Sequence, residues 1–498
     1  MRLILSETDL HPDAPSGVFR LKQSPRLNMP WTSAEHSPNT FTRPLGPNEV
    51  FIKLVSVPGH PLGREHWAVN YTATISPRGA FAALSGPPDI LPTLIRYSWL
   101  HLRFQHPSLA AHPDSDSNAV YTVPDSADAL SEWASQTFTV KADAQSADEV
   151  ISTIAPAPDA RLYYVPQSGE LLLHTAHWRM DGVGGLFLLG QLVDLMVSHA
   201  DTLLSGKLPD PFDSFKWGSE VTRLTPPVEE AANMPLTATD EQKAIAHGAV
   251  GTFALAAGAL GVPYTGDDSS VPSGTRAAEL KFSPTTTSAA VSAAKARGVG
   301  ITAAVHASLA AANFRHAIAE HQGRHYSSTI KQSLRSYLPE PYSTPAAAAG
   351  LYTSGWLARV DASGTWEENA RMYQAEYEKG ISSEYLQAHR EYASTLVEVI
   401  KNLPAPAEPP SDIDISSMGI MEKYLQREYG TPERGFGITH AGVGVEIISR
   451  QGVVFVWTFR DQLTLRLVYN EAFHTPAQMT EFLQDIQTDL LKQLGVAE

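Results

Sequence analysis

Cysteine is absent from all 498 residues of the chain. Its absence excludes disulfides, thiolate metal sites and a cysteine nucleophile, and with them any acyl-cysteine intermediate. It also fits a reducing compartment. Basic charge is scarce: 37 Lys and Arg stand against 53 Asp and Glu, for a net charge of −16. A nucleic-acid binder normally carries a basic excess on one face, so no nucleic-acid partner is expected. Any anionic substrate would have to meet a local group of cations. No G-x-S-x-G occurs, which removes the serine elbow of α/β-hydrolases. G-x-G-x-x-G and the Walker-type G-x-x-x-x-G-K are missing too, and with them the simplest nucleotide-binding readings.

Long hydrophobic runs are also wanting. The best membrane candidate, Gly248 to Thr265, is rich in glycine, proline and alanine and reads as a buried or mobile helix, so no membrane span is expected. Met1 to Asp9 turns acidic too soon for a signal peptide, and the final Gly495 to Glu498 matches no common sorting signal. A cytoplasmic location is the expectation.

What is present is globular in composition, with 43% apolar and 18% charged residues. The length favours two domains. Glu65 to Pro77 alternates as a strand, and Asp89 to His106 carries a helical apolar face. Arg161 to Val165 and Glu170 to Ala176 form a hairpin, followed by a helix from Leu186 to His199. Residues 205–240 hold several prolines and read as an inter-domain connection. A strand at Ala278 to Phe282 then leads into helices Thr286 to Arg297 and Ile301 to Ala319. Leu403 to Pro410 is a proline-rich break. Strands Gly452 to Phe459 and Leu463 to Tyr469 precede a last helix, Pro476 to Leu494. Strands and helices alternate in both halves, so the class is α/β or α+β.

The segment from Leu171 to Gly185 is the richest in chemistry. An apolar strand runs into His177-Trp178-Arg179-Met180-Asp181-Gly182, with further glycines at 184 and 185. An imidazole, a carboxylate four residues on and glycines that let the chain bend sharply make a plausible general-base site. The competing reading is a core histidine with Asp181 capping the next helix. His321 and His325 have the spacing of a metal pair but lack a third ligand nearby, and His174 and His177 point to opposite strand faces. No metal is expected.

The H-x-x-x-D-G at His177 resembles the signature of the chloramphenicol acetyltransferase-like superfamily, which includes BAHD acyltransferases and the condensation domains of nonribosomal peptide synthetases. Ala278 to Phe282 with its two helices, Lys331 to Pro339 and Ile415 to Gly419 resemble successive parts of that superfamily's C-terminal half. Ser416 to Leu425, Trp457 to Leu463 and Tyr469 to Phe473 are most similar to fungal trichothecene 15-O-acetyltransferase-like proteins. Two departures stand out. Condensation domains carry a second histidine where this chain has Ala176. The D-F-G-W-G of BAHD enzymes is replaced by His440 to Gly444.

The resemblance implies an α/β (α+β two-layer) fold in two similar halves, residues 1–215 and 216–498, forming a pseudo-dimer around a central solvent channel. It implies an acyl-CoA-dependent O-acyltransferase, with acetyl-CoA or another acyl-CoA as co-substrate and no permanently bound cofactor. The acceptor would be a hydroxyl of a hydrophobic fungal terpenoid or polyketide. His177 would be the general base, Asp181 would turn from the channel to pair with an arginine, and Gly182 would permit the turn. Arg335 is a candidate for that arginine. Lys331, Arg335 and Arg466 are candidate cations for the coenzyme A phosphates. A monomer is expected, since the halves cover each other. Two alternatives stay open: a condensation-like enzyme taking its acyl group from a carrier protein, and a cyclase or binding protein on the same fold.

Overall fold

The computed structural model describes residues 31–35, 37–267, 269–402 and 408–497. The signal-peptide reading at Met1 to Asp9 and the start of the break at Leu403 lie outside the described residues. One sheet has six strands in the order Glu428–Thr431, Arg434–Val445, Val69–Gly79, Glu170–Thr175, Arg161–Val165 and Phe138–Val140. A second has four: Ile413–Ile420, Gly452–Phe459, Gln462–Asn470 and Thr275–Lys281. Tyr326–Ser333 and Thr353–Val360 form an antiparallel ribbon. A small four-stranded sheet is drawn from residues 32–44 and 112–122. Helices pack on the larger sheets, and the class is mixed α/β.

Strand composition follows from what each face touches. Leu171 and Leu173 pack into the core that holds Tyr71 and Trp99, whereas Leu172 faces the other way, against Ile151 and Val165. A strand buried on both faces has no polar side to show, hence the unbroken Leu171 to Leu173 run. Gly452–Phe459 works the same way at the seam of the molecule. Val453, Phe455 and Trp457 join the first core, and Val454 and Val456 the second.

The halves expected at residues 1–215 and 216–498 are interleaved. Arg434–Val445 pairs antiparallel with Val69–Gly79, so the later half of the chain supplies two strands to the sheet that carries Glu170–Thr175. Residues 205–240, expected as a connection, are exposed or half-buried up to Ser219 and largely buried between Leu224 and Met234. Within them Glu220 and Glu229 are fully buried, and Phe215 stacks on Phe104 at 4.1 Å.

Several element bounds differ from expectation. The helix expected from Leu186 spans Gly182–Leu204, because Asp181 caps it with its carboxylate and the glycines adopt helical backbone. The helix expected to end at Ala319 ends at Arg315, so His321 lies in a separate turn. The Gly248 to Thr265 stretch is the end of Asp240–Gly251 and a short turn rather than one helix. Among the described residues, Gly182–Leu204 alone is long and apolar enough to cross a bilayer. Its Leu186, Leu189, Val193 and Met196 are spent on the core instead.

Candidate functional site

The strand Glu170–Thr175 ends one residue before a single turn of 3-10 helix, His177–Arg179. That turn lifts the His177 ring off the sheet and onto the wall of a cavity of about 280 Å³. Val69 and Val445 reach the same cavity from the six-stranded sheet, Asp414 and Phe455 from the four-stranded sheet, and Lys331 and Ser354 from the ribbon. The cavity therefore lies where the two parts of the fold meet.

His177 Nδ1 lies 2.9 Å from the Met180 carbonyl oxygen. A carbonyl can only accept, so Nδ1–H donates and the neutral ring keeps its lone pair on Nε2. Burial holds the imidazolium below its ordinary value of 6.5, while the Met180 carbonyl and the nearby Asp181 charge oppose that shift. At neutral pH the ring is an uncharged proton acceptor.

Asp181 is 3% exposed and fully engaged. Its Oδ1 accepts from the Gly184 N–H at 2.8 Å, and its Oδ2 from the Tyr352 N–H at 2.9 Å. Arg335 Nε donates to both oxygens at 3.1 and 3.0 Å. The remaining Arg335 donors go to the carbonyls of Ala347, Ala348 and Gly350 at 3.0–3.1 Å. Asp181 and Arg335 thus lash the His177 turn to the segment 347–352. Both readings of Asp181 hold: it is a helix cap and an arginine's partner at once.

The glycines do not act as the sequence suggested. None of Gly182, Gly184 and Gly185 has a positive φ; they form the first turn of the helix. What they provide is room. A Cβ on Gly184 would lie 2.1 Å from the Ala348 carbonyl oxygen, and one on Gly185 would sit 2.2 Å from the Tyr71 ring. Tyr71 is held there by its hydroxyl, which donates to the Asp181 carbonyl at 2.7 Å. Gly184→Ala should lower stability by ~1–3 kcal/mol, the usual result of overpacking against backbone. A urea melt checks this, and an unchanged midpoint would mean that the helix start and segment 347–352 can move apart freely.

Of the three cations put forward for phosphates, the structure brings one to the cavity. Arg335 is 4% exposed and turned inward, as described. Arg466 is paired with Asp148 and with Glu279, the latter at 3.1 Å, and lies away from the His177 cavity. Its charge is already compensated. Lys331 does line the cavity, where its ammonium contacts Asp414 Oδ2 and the Ile415 carbonyl, each at 2.6 Å.

The other histidines are accounted for separately. His174 is buried, 2.8 Å from Asn70 Oδ1. His321 Nδ1 accepts from the Gly261 N–H, and His325 Nε2 donates to the Leu255 carbonyl. Among the described residues no group of three or more His, Asp or Glu could hold a metal ion.

Sequence reasoning passed over Trp67, Asp414 and Ser416, all on the cavity wall. Trp67 has φ +64°, an unfavourable conformation for a bulky residue, stabilised here by its N–H bond to the Glu446 carbonyl at 2.8 Å. Nothing local in the sequence marks it. Asp414 and Ser416 had a signal: they alternate with the buried Ile413 and Ile415, so they share the opposite face.

No protein-family model matches the chain. Acetyltransferase pigO of Monascus ruber is 40% identical over 471 residues, covering 94% of this chain and 99% of the relative. O-acetyltransferase pigM of the same organism is 29% identical, covering 94% and 88%. TRI3 trichothecene 15-O-acetyltransferase from Fusarium sporotrichioides has a similar fold, with a TM-score of 0.78 at 20% identity over 95% of this chain and 99% of that one. With the H-x-x-x-D-G turn at the cavity wall, these relations make the chain an acyltransferase, which removes the cyclase and binding-protein alternative. It belongs to the family of fungal acetyltransferases that includes pigO, and it shares the fold of TRI3.

Proposed function

We propose that the protein transfers an acetyl group from acetyl-CoA to a hydroxyl of a hydrophobic small molecule, with His177 as general base. One observation carries this: an imidazole on the cavity wall whose Nδ1–H is spent on the Met180 carbonyl, leaving Nε2 as a proton acceptor. An alcohol is a weak nucleophile at neutral pH. Nε2 takes the hydroxyl proton as the oxygen attacks the thioester carbonyl, so the C–O bond forms before the C–S bond breaks. The imidazolium then returns the proton to the departing thiolate. The apolar side of the cavity, with Phe51, Trp67, Phe253 and Phe455, supports a terpenoid or polyketide skeleton as acceptor.

The test is release of free thiol from acetyl-CoA in the presence of a panel of hydroxylated terpenoids and polyketides. Acceptor-dependent release supports the proposal. Transfer only from an acetylated carrier protein would replace the donor, leaving the base untouched.

The pH dependence follows from the sign of the His177 shift. The working form is the neutral ring, and burial pulls its pKa below 6.5. Activity should therefore be flat through neutrality and fall only as the pH drops below the value expected of a free imidazole. A kcat/KM profile in buffers of constant ionic strength reports this limb directly. An inflection at or above 6.5 would contradict a desolvated base.

A further inference from the structure

Lys331 and Asp414 are opposite charges set side by side in the wall of the cavity, and the proposed transfer gives them no role. Asp414 is held from three directions. Its Oδ1 accepts from the Thr329 N–H at 3.0 Å and the Ile415 N–H at 2.8 Å, and its Oδ2 faces Lys331 Nζ at 2.6 Å. Although burial raises its pKa, Lys331 and the two backbone donors bring it below the usual carboxylate value, so Asp414 stays a carboxylate. An ammonium has three N–H donors. Asp414 and the Ile415 carbonyl take two, and among the described residues nothing takes the third.

Ser416 adds a second donor. It follows Asp414 by two residues on Ile413–Ile420, so its side chain leaves the same strand face, and it too lines the cavity. Its hydroxyl has no hydrogen-bond partner among the described residues. Lys331 and Asp414, meanwhile, carry no net charge as a pair. A carboxylate brought here would lose part of its attraction to Lys331 to repulsion by Asp414, and a substrate amine would meet an ammonium. A neutral oxygen with lone pairs suffers neither penalty and satisfies both donors.

We infer that Lys331 and Ser416 form a cradle for a neutral carbonyl oxygen of the bound acceptor, which makes the substrate class a hydrophobic alcohol carrying a ketone, lactone or ester carbonyl away from the reacting hydroxyl. The inference rests on the acetyl-transfer reading of the same cavity. It adds that recognition is by a carbonyl and not by charge. Asp414 is a positioning residue in this arrangement: it fixes the direction of the ammonium and cancels its long-range field. The thioester donor also carries carbonyls, in the amides of its pantetheine arm, and the experiment separates the two sources.

The probes are alcohols that wild-type enzyme acetylates, each compared with its deoxo analogue, in which the remote carbonyl is CH2, and with a carboxylate analogue. Wild type should favour the ketone over the deoxo compound by about tenfold or more in kcat/KM, as a hydrogen bond to a charged donor allows, and should reject the carboxylate. In Ser416→Ala and in the charge-free pair Lys331→Met with Asp414→Asn, the ketone-to-deoxo ratio should collapse toward one, through KM for the acceptor. The paired substitution avoids leaving Asp414 buried and unpaired, and Ser416→Ala is small enough to keep the fold. A ratio near one in wild type, an unchanged ratio in both variants, or a rise confined to the KM for acetyl-CoA would each overturn the inference; the last would place the pantetheine amide in the cradle. If wild-type enzyme acetylates no alcohol from acetyl-CoA, the transfer reading itself has failed, which is a different result.

Discussion

His177→Ala should lose about 10²- to 10⁴-fold in kcat/KM, the range supplied by a positioned general base, with little loss of fold. The ring makes one neutral hydrogen bond, to the Met180 carbonyl, worth ~1 kcal/mol net, and it sits on a cavity wall rather than in a packed core. Stability and rate should therefore separate. Thiol release measured beside a thermal melt shows the split: a midpoint within a few degrees and near-complete loss of transfer. His177→Gln is a useful companion, because it can still donate to Met180 but has no basic nitrogen. Activity within a few fold of wild type in either variant would remove His177 from the chemistry.

Asp181→Ala should have the largest effect on stability. It strands Arg335 with its charge uncompensated at 4% exposure, and breaking a buried pair from one side costs ~3–5 kcal/mol. The same change removes the cap on Gly182–Leu204, for ~1 kcal/mol more, and frees the Tyr352 N–H. Denaturant melts of Asp181→Ala and Arg335→Met, alone and combined, form a cycle. The combined variant should be no worse than the sum and milder than additivity, because the second change removes the orphaned charge left by the first. Strict additivity would mean that the two groups act independently. In whatever fraction stays folded, kcat should also drop, since the His177 turn has lost its tie to segment 347–352.

Much of the scaffold was legible because local rules agreed with the fold. Gly452–Phe459 and Pro476–Leu494 begin and end where apolar patterning and turn residues put them, and the hairpin strand Arg161–Val165 does too. Gly182–Leu204 was legible in type but not in extent. Three glycines in four positions read as a bend, and only the capping carboxylate and the close neighbours Ala348 and Tyr71 show why a helix starts there. The candidate phosphate cations show what residue type leaves open. Lys331, Arg335 and Arg466 are equal as residue types, yet each charge is already matched by an acid from elsewhere in the chain: Asp414, Asp181, and Asp148 with Glu279.

The order of residues alone determined that His177 follows a buried strand, that a capped helix comes after it, and that no cysteine or serine-elbow chemistry is available. These are properties of neighbours within a few positions, where backbone geometry and side-chain type suffice. Only the tertiary structure decided that Arg335 lies against Asp181, that Arg434–Val445 completes the sheet beneath His177, and that Lys331, Asp414 and Ser416 line one cavity with it. Those contacts join segments more than a hundred residues apart in several cases. They form because burying paired charges and closing a sheet are favourable only once the chain has folded back on itself, and no local pattern records which distant partner will be there.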